Sequence, residues 1–269
     1  ARLRHELSAR LVKFYIGRDA SSFEFLEKGG KSVIDRLDSL LLDTTQERVL
    51  RDLAARALLD LRMPTAFAKL VAACGSKDPF VAIVATDYMY GAGFASSSQR
   101  LLSFFEDKDP RIRALAVQRT PFMPSEIQRW RDRLQDADHR VRVQAARYLA
   151  LRGDRSGISA LMQSLKSNET EVRRVGIRGL GHLKGKDSVA ALSVMIEDDE
   201  PSLRRDAVVA LSQQGISNAE GLMKLVERET RNDIRAMALL ATARTKDKRA
   251  RSMMHEILFN DEANVIERG

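Results

Sequence analysis

The sequence predicts an all-α fold, an α-α superhelix built from stacked helix pairs. Three observations carry that prediction. Acidic positions recur along the chain at Glu47, Asp78, Asp109, Asp138, Glu169 and Glu200, with Arg231 as the seventh and Glu262 opening a truncated unit; every step is 31 residues except one of 29. Within each unit the apolar and small residues fall at helical spacing. The composition, 44% hydrophobic and 30% charged, belongs to a chain that folds and stays soluble, not to a disordered one. Fixed self-similarity of this length is the mark of a repeat array.

Taken in order, residues 1–46 read as N-terminal helices, a cap or a divergent repeat. The stretch VIDRLDSLLLD (33–43) supplies the first helix of the first clear unit. Residues 47–269 read as the repeat array. Each recurring acid stands where a helix N-cap belongs, able to accept first-turn N–H groups and suited in charge to the positive helix end. Pro79, Pro110 and Pro201 follow their acids directly, at the first helical position, where a missing N–H costs nothing. Gly93, Gly153 and Gly215 lie fifteen residues after their acids as expected terminators. The helix between these signals is helix B. Its third position after the anchor holds Leu50, Val81, Ile112, Val141, Val172, Leu203 and Ile234, and its seventh holds Ala54, Ala85, Ala116, Ala145, Gly176, Ala207 and Ala238. All seven of the first set are aliphatic and all seven of the second are small, so backbones can approach closely at that level.

A second helix, helix A, precedes each anchor. Eight residues before the anchor lie Leu70, Leu101, Trp130, Leu161, Leu192 and Met223; four before lie Cys74, Phe105, Leu134, Leu165 and Ile196. Trp130 therefore reads as core, and Cys74, the sole cysteine, as a small buried hydrophobe of low reactivity. A helix pair alone buries too little surface, so the units must stack.

The runs DPRIRALAV, DHRVRVQAA, ETEVRRVGI and EPSLRRDAV share one pattern: acid, two residues, aliphatic, arginine, then a helix rich in small residues. This pattern resembles HEAT repeats, in the short HEAT-like form of the phycobilisome lyases. The resemblance implies a HEAT-like repeat solenoid with helix B lining the concave face. The segment SKDPFVAIVATDYMY departs from it, with Ala82 in the arginine position.

Helical phase sorts the arginines into two sets. Arg51, Arg113, Arg142, Arg173, Arg204 and Arg235 sit four residues after their anchors, beside the apolar stripe. They are expected to point into the packed seam and pair with anchor carboxylates of neighbouring units as a structural ladder. Arg111, Arg140, Arg147, Arg174, Arg178 and Arg205 lie opposite the seam. They are expected to face solvent and bind a partner.

The net charge of +8 is uneven. Between Lys108 and Lys186 stand 18 Lys or Arg against 8 Asp or Glu, which leaves the rest of the chain slightly negative. That asymmetry calls for an acidic protein partner, or nucleic acid, on a basic concave surface.

Signals for chemistry are scarce. His5, His139, His182 and His255 occupy different repeat phases and show no ligand spacing, so no metal site and no cofactor is expected. His5-Glu6 and His255-Glu256 form HE pairs similar to those of deoxyhypusine hydroxylases, but that family needs four such pairs. Phosphate-binding loops, dinucleotide fingerprints and nucleophile elbows are missing. The chain reads as a non-catalytic scaffold or adaptor. The alternatives are a nucleic-acid-binding protein similar to AlkD-type DNA glycosylases and a phycobilin lyase or chaperone of the resembled family. Without a signal-peptide core or a stretch of 18 apolar residues, a cytoplasmic protein without membrane insertion is expected. The truncated unit at Glu262 leads us to expect that the protein continues past Gly269.

Overall fold

The computed structural model describes residues 2–94, 98–121, 123–214 and 219–243, together with Ser252 and His255. It is an all-α helical-repeat solenoid with sixteen α-helices among the described residues. The chain divides into two compact units, residues 1–123 and residues 124–269.

The first unit contains α1 (Arg2–Tyr15), α2 (Ala20–Lys28), α3 (Gly30–Leu42), α4 (Arg48–Asp60), α5 (Pro64–Cys74), α6 (Pro79–Gly91), α7 (Ser98–Ser103) and α8 (Pro110–Arg119). A 3-10 turn, Phe104–Glu106, extends α7. Helices α4, α6 and α8 are the B helices and pack in series, while α3 and α5 pack against them as A helices. In the second unit the A helices are α9 (Ile127–Arg133), α11 (Ile158–Ser164), α13 (Lys186–Met195) and α15 (Ala219–Arg228); the B helices are α10 (His139–Ala150), α12 (Thr170–His182), α14 (Pro201–Gln213) and α16 (Asn232–Ala243). Here too the B helices stack in order, α10 on α12, α12 on α14 and α14 on α16.

The anchors start the B helices. Asp78, Asp109, Asp138 and Glu200 accept the backbone N–H two residues on, from Phe80 at 2.9 Å, Arg111 at 2.8 Å, Arg140 at 2.8 Å and Ser202 at 3.3 Å. Glu47 and Glu169 occupy the same position without a side-chain cap bond. The Glu169 carboxylate instead meets His139 Nε2 at 3.0 Å, which its longer side chain can reach across the repeat. Gly93 and Gly153 adopt left-handed conformations, φ +99° and +75°, as the terminator positions require. Gly215 and the truncated unit from Glu262 lie outside the described residues.

Burial follows the repeat phase. All seven small residues at position seven are buried, as are the six A-helix residues eight before their anchors, Leu70, Leu101, Trp130, Leu161, Leu192 and Met223. At position three only Leu50 is half-buried; the other six are buried. Cys74 corrects the expectation of a core cysteine: it is half-buried, near the C-terminal end of α5, with Sγ 3.5 Å from the Leu70 carbonyl. Burial still pushes its thiol pKa up, so the predicted low reactivity keeps a physical basis. Gly176 shows why position seven must be small. A Cβ there would stand 2.0 Å from Ser164 Oγ and 3.0 Å from the Leu161 carbonyl oxygen. The Ser164 hydroxyl is itself buried and donates to that same carbonyl at 2.7 Å.

Candidate functional site

The arginines at position four occupy the turns that join helix A to helix B. Arg51 is buried; Nε donates to the Leu41 carbonyl at 2.9 Å, Nη2 pairs with Asp78, and the guanidinium lies 4.9 Å from the Phe80 ring centroid. Arg113, Arg142, Arg173 and Arg204 share a second device. Nη1 of each donates to the carbonyl six residues back, at Asp107 (2.8 Å), Asp136 (2.7 Å), Ser167 (2.8 Å) and Asp198 (2.9 Å). These bonds satisfy carbonyls of the turn between helix A and helix B, which neither helix pairs. The opposite edge of the guanidinium faces the next repeat. Arg173 meets Asp198 there, Nε–Oδ2 at 3.0 Å and Nη2–Oδ1 at 3.2 Å. Arg204 meets Glu229 at 2.7 and 3.0 Å. These acids stand two residues before the next anchor, not at the anchor. Arg51 reaches an anchor carboxylate, Asp78, whereas Arg173 and Arg204 take acids two residues before the next anchor, so the geometry differs from a simple arginine–anchor ladder. Asp198 and Glu229 each also accept a backbone N–H of their own turn, from Glu200 at 2.9 Å and Arg231 at 3.1 Å. One carboxylate thus braces its own turn and grips the preceding repeat. Arg235 lies half-buried on α16.

The arginines opposite the seam are not equivalent. Arg111 folds back on its own N-cap, with Nε 3.1 Å and Nη2 2.9 Å from Asp109 oxygens. Arg140 does the same on Asp138, at 3.1 and 2.8 Å. The Arg140 guanidinium and its hydrogen bonds hold the Asp138 carboxyl down to about 2. Arg174 corrects the expectation of an open donor. It is largely covered, pairs with Glu171, donates to Ser202 Oγ at 2.9 Å and lies 3.4 Å from Asp206. Two acids and a hydroxyl already use its donors.

Arg147, Arg178 and Arg205 are placed differently. Arg178 is half-exposed and 3.2 Å from Asp206, and Arg205 is exposed. Arg147 is half-buried on α10. Burial and the nearby Arg178 charge lower its pKa, and only Glu171 opposes them. Burial, and then Arg147, likewise hold the His182 imidazole below its usual range. Arg147 on α10 and Arg178 on α12 thus stand near enough for the Arg178 charge to disfavour that of Arg147.

In the first unit the corresponding face is closed by its own acids, a network the repeat pattern did not reveal. Arg119 donates to Asp52 at 2.7 Å and to Asp87 at 3.0 Å, and the Tyr88 hydroxyl donates to Asp52 at 3.2 Å. Burial followed by the Asp52 charge pushes the Tyr88 hydroxyl up to about 12, and burial raises the Asp87 carboxyl. The signal was present in the acids at positions five and nine after their anchors, Asp52 and Asp87, with Arg119 at position ten. Tyr148, the counterpart of Tyr88 in the second unit, packs instead on Trp130, with ring centroids 4.2 Å apart and planes 9° apart.

A family model of HEAT repeats matches residues 127–214. YibA of Escherichia coli superposes with a TM-score of 0.59 at 18% identity, over 91% of this chain and 92% of that one. The fold is that of a HEAT-like repeat protein, and residues 127–214 match the HEAT repeats in sequence. Two further solved structures match with lower scores. The CpcE–CpcF complex of phycocyanin lyase from Nostoc sp. matches at TM-score 0.47 and 17% identity, over 87% of this chain and 92% of that chain. Human deoxyhypusine hydroxylase matches at 0.37 and 15%, over 91% and 94%. No sequence among curated proteins matches. At these identities the likenesses speak for the fold, and in a HEAT-like repeat protein function resides in the surface the repeats present. No described helix is long and apolar enough to cross a membrane.

Proposed function

We propose that this HEAT-like repeat protein is a non-catalytic scaffold or adaptor that holds an acidic protein segment against the B helices of its second unit. Arg147, Arg178 and Arg205 are the principal donors. Arg140 and Arg174, bound to acids of their own unit, frame the site and contribute less; Arg111 belongs to the first unit and plays the same secondary part there. The observation that carries the reading is Arg147, half-buried beside Arg178, with its pKa lowered by burial and by that like charge. A partner carboxylate would relieve the repulsion and gain charge-assisted hydrogen bonds. Nucleic acid is the second reading, favoured by the excess of basic residues from Lys108 to Lys186.

The test is titration with poly-L-glutamate and with random duplex DNA across a salt series. Arg147→Glu/Arg178→Glu is expected to weaken polyglutamate binding by about a hundredfold, the worth of two charge-assisted contacts, while the far-UV circular dichroism spectrum stays unchanged. Tighter binding of duplex DNA, with a salt slope of many released counterions, would transfer the site to nucleic acid. Equal polyglutamate affinity in the variant would overturn both the residues and the face.

A further inference from the structure

The second unit holds two versions of one recess, two repeats apart. The first is lined by His139, Arg142, Gln163, Ser164, Lys166 and Ser167, with Ala160 and Val172. The second is lined by Arg204, Leu225, Arg228 and Glu229, with Glu197, Asp198, Asp199 and Thr230. Arg142, Gln163, Lys166 and Ser167 correspond, 62 residues on, to Arg204, Leu225, Arg228 and Glu229. In the second recess Glu229 takes the Nε–Nη2 edge of Arg204 in a two-point pair. In the intervening repeat Asp198 faces the same edge of Arg173, accepting from Nη2 at 3.2 Å with Nε 3.0 Å from its other oxygen.

Arg142 has no such partner among the described residues. Its Nη1 is fixed on the Asp136 and Ala137 carbonyls at 2.7 and 2.8 Å, as in the other repeats. At the position of Asp198 and Glu229 stands Ser167, whose hydroxyl accepts the Glu169 N–H at 3.1 Å. The anchor acid Glu169, which might replace it as Asp78 does for Arg51, is held by His139. What remains is an open recess of about 330 Å³. Among the described residues its lining carries two cations, the His139 imidazole, hydroxyls and an amide, and no carboxylate. We propose that this recess is a binding site for a carboxylate, seated where Glu229 places its own in the equivalent recess. The planar guanidinium edge of Arg142 would take both oxygens, with Lys166 adding charge at the rim. The carboxylate could belong to a free small acid or to an acidic side chain of another chain. None of these residues belongs to the arginine face proposed above, so the two sites stand or fall separately.

The substitution that tests this is Ser167→Asp, which supplies the missing carboxylate in the manner of Asp198. Asp198 also accepts its own turn's N–H, so the aspartate can keep that bond. The probes are sodium glutarate and an acetylated, amidated Gly-Glu-Gly peptide, followed by thermal shift and by the Arg142 Nε–H resonance. Wild type and Ser167→Ala should respond to a probe at millimolar concentration. Ser167→Asp should melt higher without probe and bind at least about tenfold more weakly, the worth of one charge-assisted contact. A response to both probes supports the site with either source, and a response to the peptide alone supports a protein side chain. No movement of the Arg142 resonance with either probe, or equal binding by Ser167→Asp, would overturn the proposal.

Discussion

Replacing Arg204 with alanine is expected to destabilise the second unit by about 3–5 kcal/mol, because it strands a buried carboxylate. The Glu229 side chain is 1% exposed and the Arg204 side chain 17%. The pair makes two hydrogen bonds, and Arg204 also holds the Asp198 and Asp199 carbonyls through Nη1 at 2.9 and 3.2 Å. Alanine removes all of these contacts and leaves Glu229 with the backbone N–H of Arg231. Lysine is expected to recover only part of the loss, since a point charge cannot serve both carboxylate oxygens and the carbonyls together. The pH dependence follows from the direction of the Glu229 shift. Hydrogen bonding to Arg204 holds this carboxyl below its usual range in the folded protein. Its contribution is therefore full above the unfolded value and fades as pH falls through the folded one. In Arg204→Ala the buried carboxyl should instead titrate high, so wild type and variant converge on acidification. Urea denaturation at about pH 7 and about pH 4 checks this; a difference below about 1 kcal/mol at the higher pH would show the pair to be worth no more than a surface bridge.

Trp130→Ala is the second large effect, expected to cost about 3–5 kcal/mol. Trp130 is fully buried on α9 and stacks on Tyr148 of α10, whose ring also carries the Arg152 guanidinium 4.5 Å from its centroid. Truncation opens a cavity and removes an aromatic pair worth about 1 kcal/mol beyond its area. Leucine, the residue at this phase in most other units, is expected to restore more than half of the loss, since the A-helix position accepts it elsewhere. Thermal denaturation followed by far-UV circular dichroism measures the series. An alanine variant that melts with the wild type would place Trp130 outside the core.

The repeat was legible because one helical phase imposes one environment. Positions three and seven of helix B are apolar or small for packing reasons that act alike in each unit, and burial follows them closely. The helix starts were legible for the same reason, since an acid before a proline or a first turn has few other uses. What phase could not give was the choice of partner among several polar groups within reach. Arg173 and Arg204 bond acids two residues before the anchor, Arg140 turns back on its own cap, and Arg174 is taken up by Glu171, Ser202 and Asp206. Each choice depends on side-chain length and on the neighbouring helix. The Asp52–Arg119–Asp87 network was missed likewise, because its members share no phase. Even so, aligning Ser167 with Asp198 and Glu229 was possible from sequence alone, and the vacancy beside Arg142 follows from that alignment.

The account rests on the guanidiniums of Arg51 and Arg204 being locked inside the repeats while those of Arg178 and Arg205 stay open to a partner. Hydrogen exchange at the arginine Nε–H groups, resolved by NMR, tests it most directly. Arg51 and Arg204, whose Nε atoms donate to a carbonyl and a carboxylate, should exchange slowly, and Arg178 and Arg205 should exchange at nearly free rates. Uniformly fast exchange across both sets would contradict the assignment, and the partner face with it.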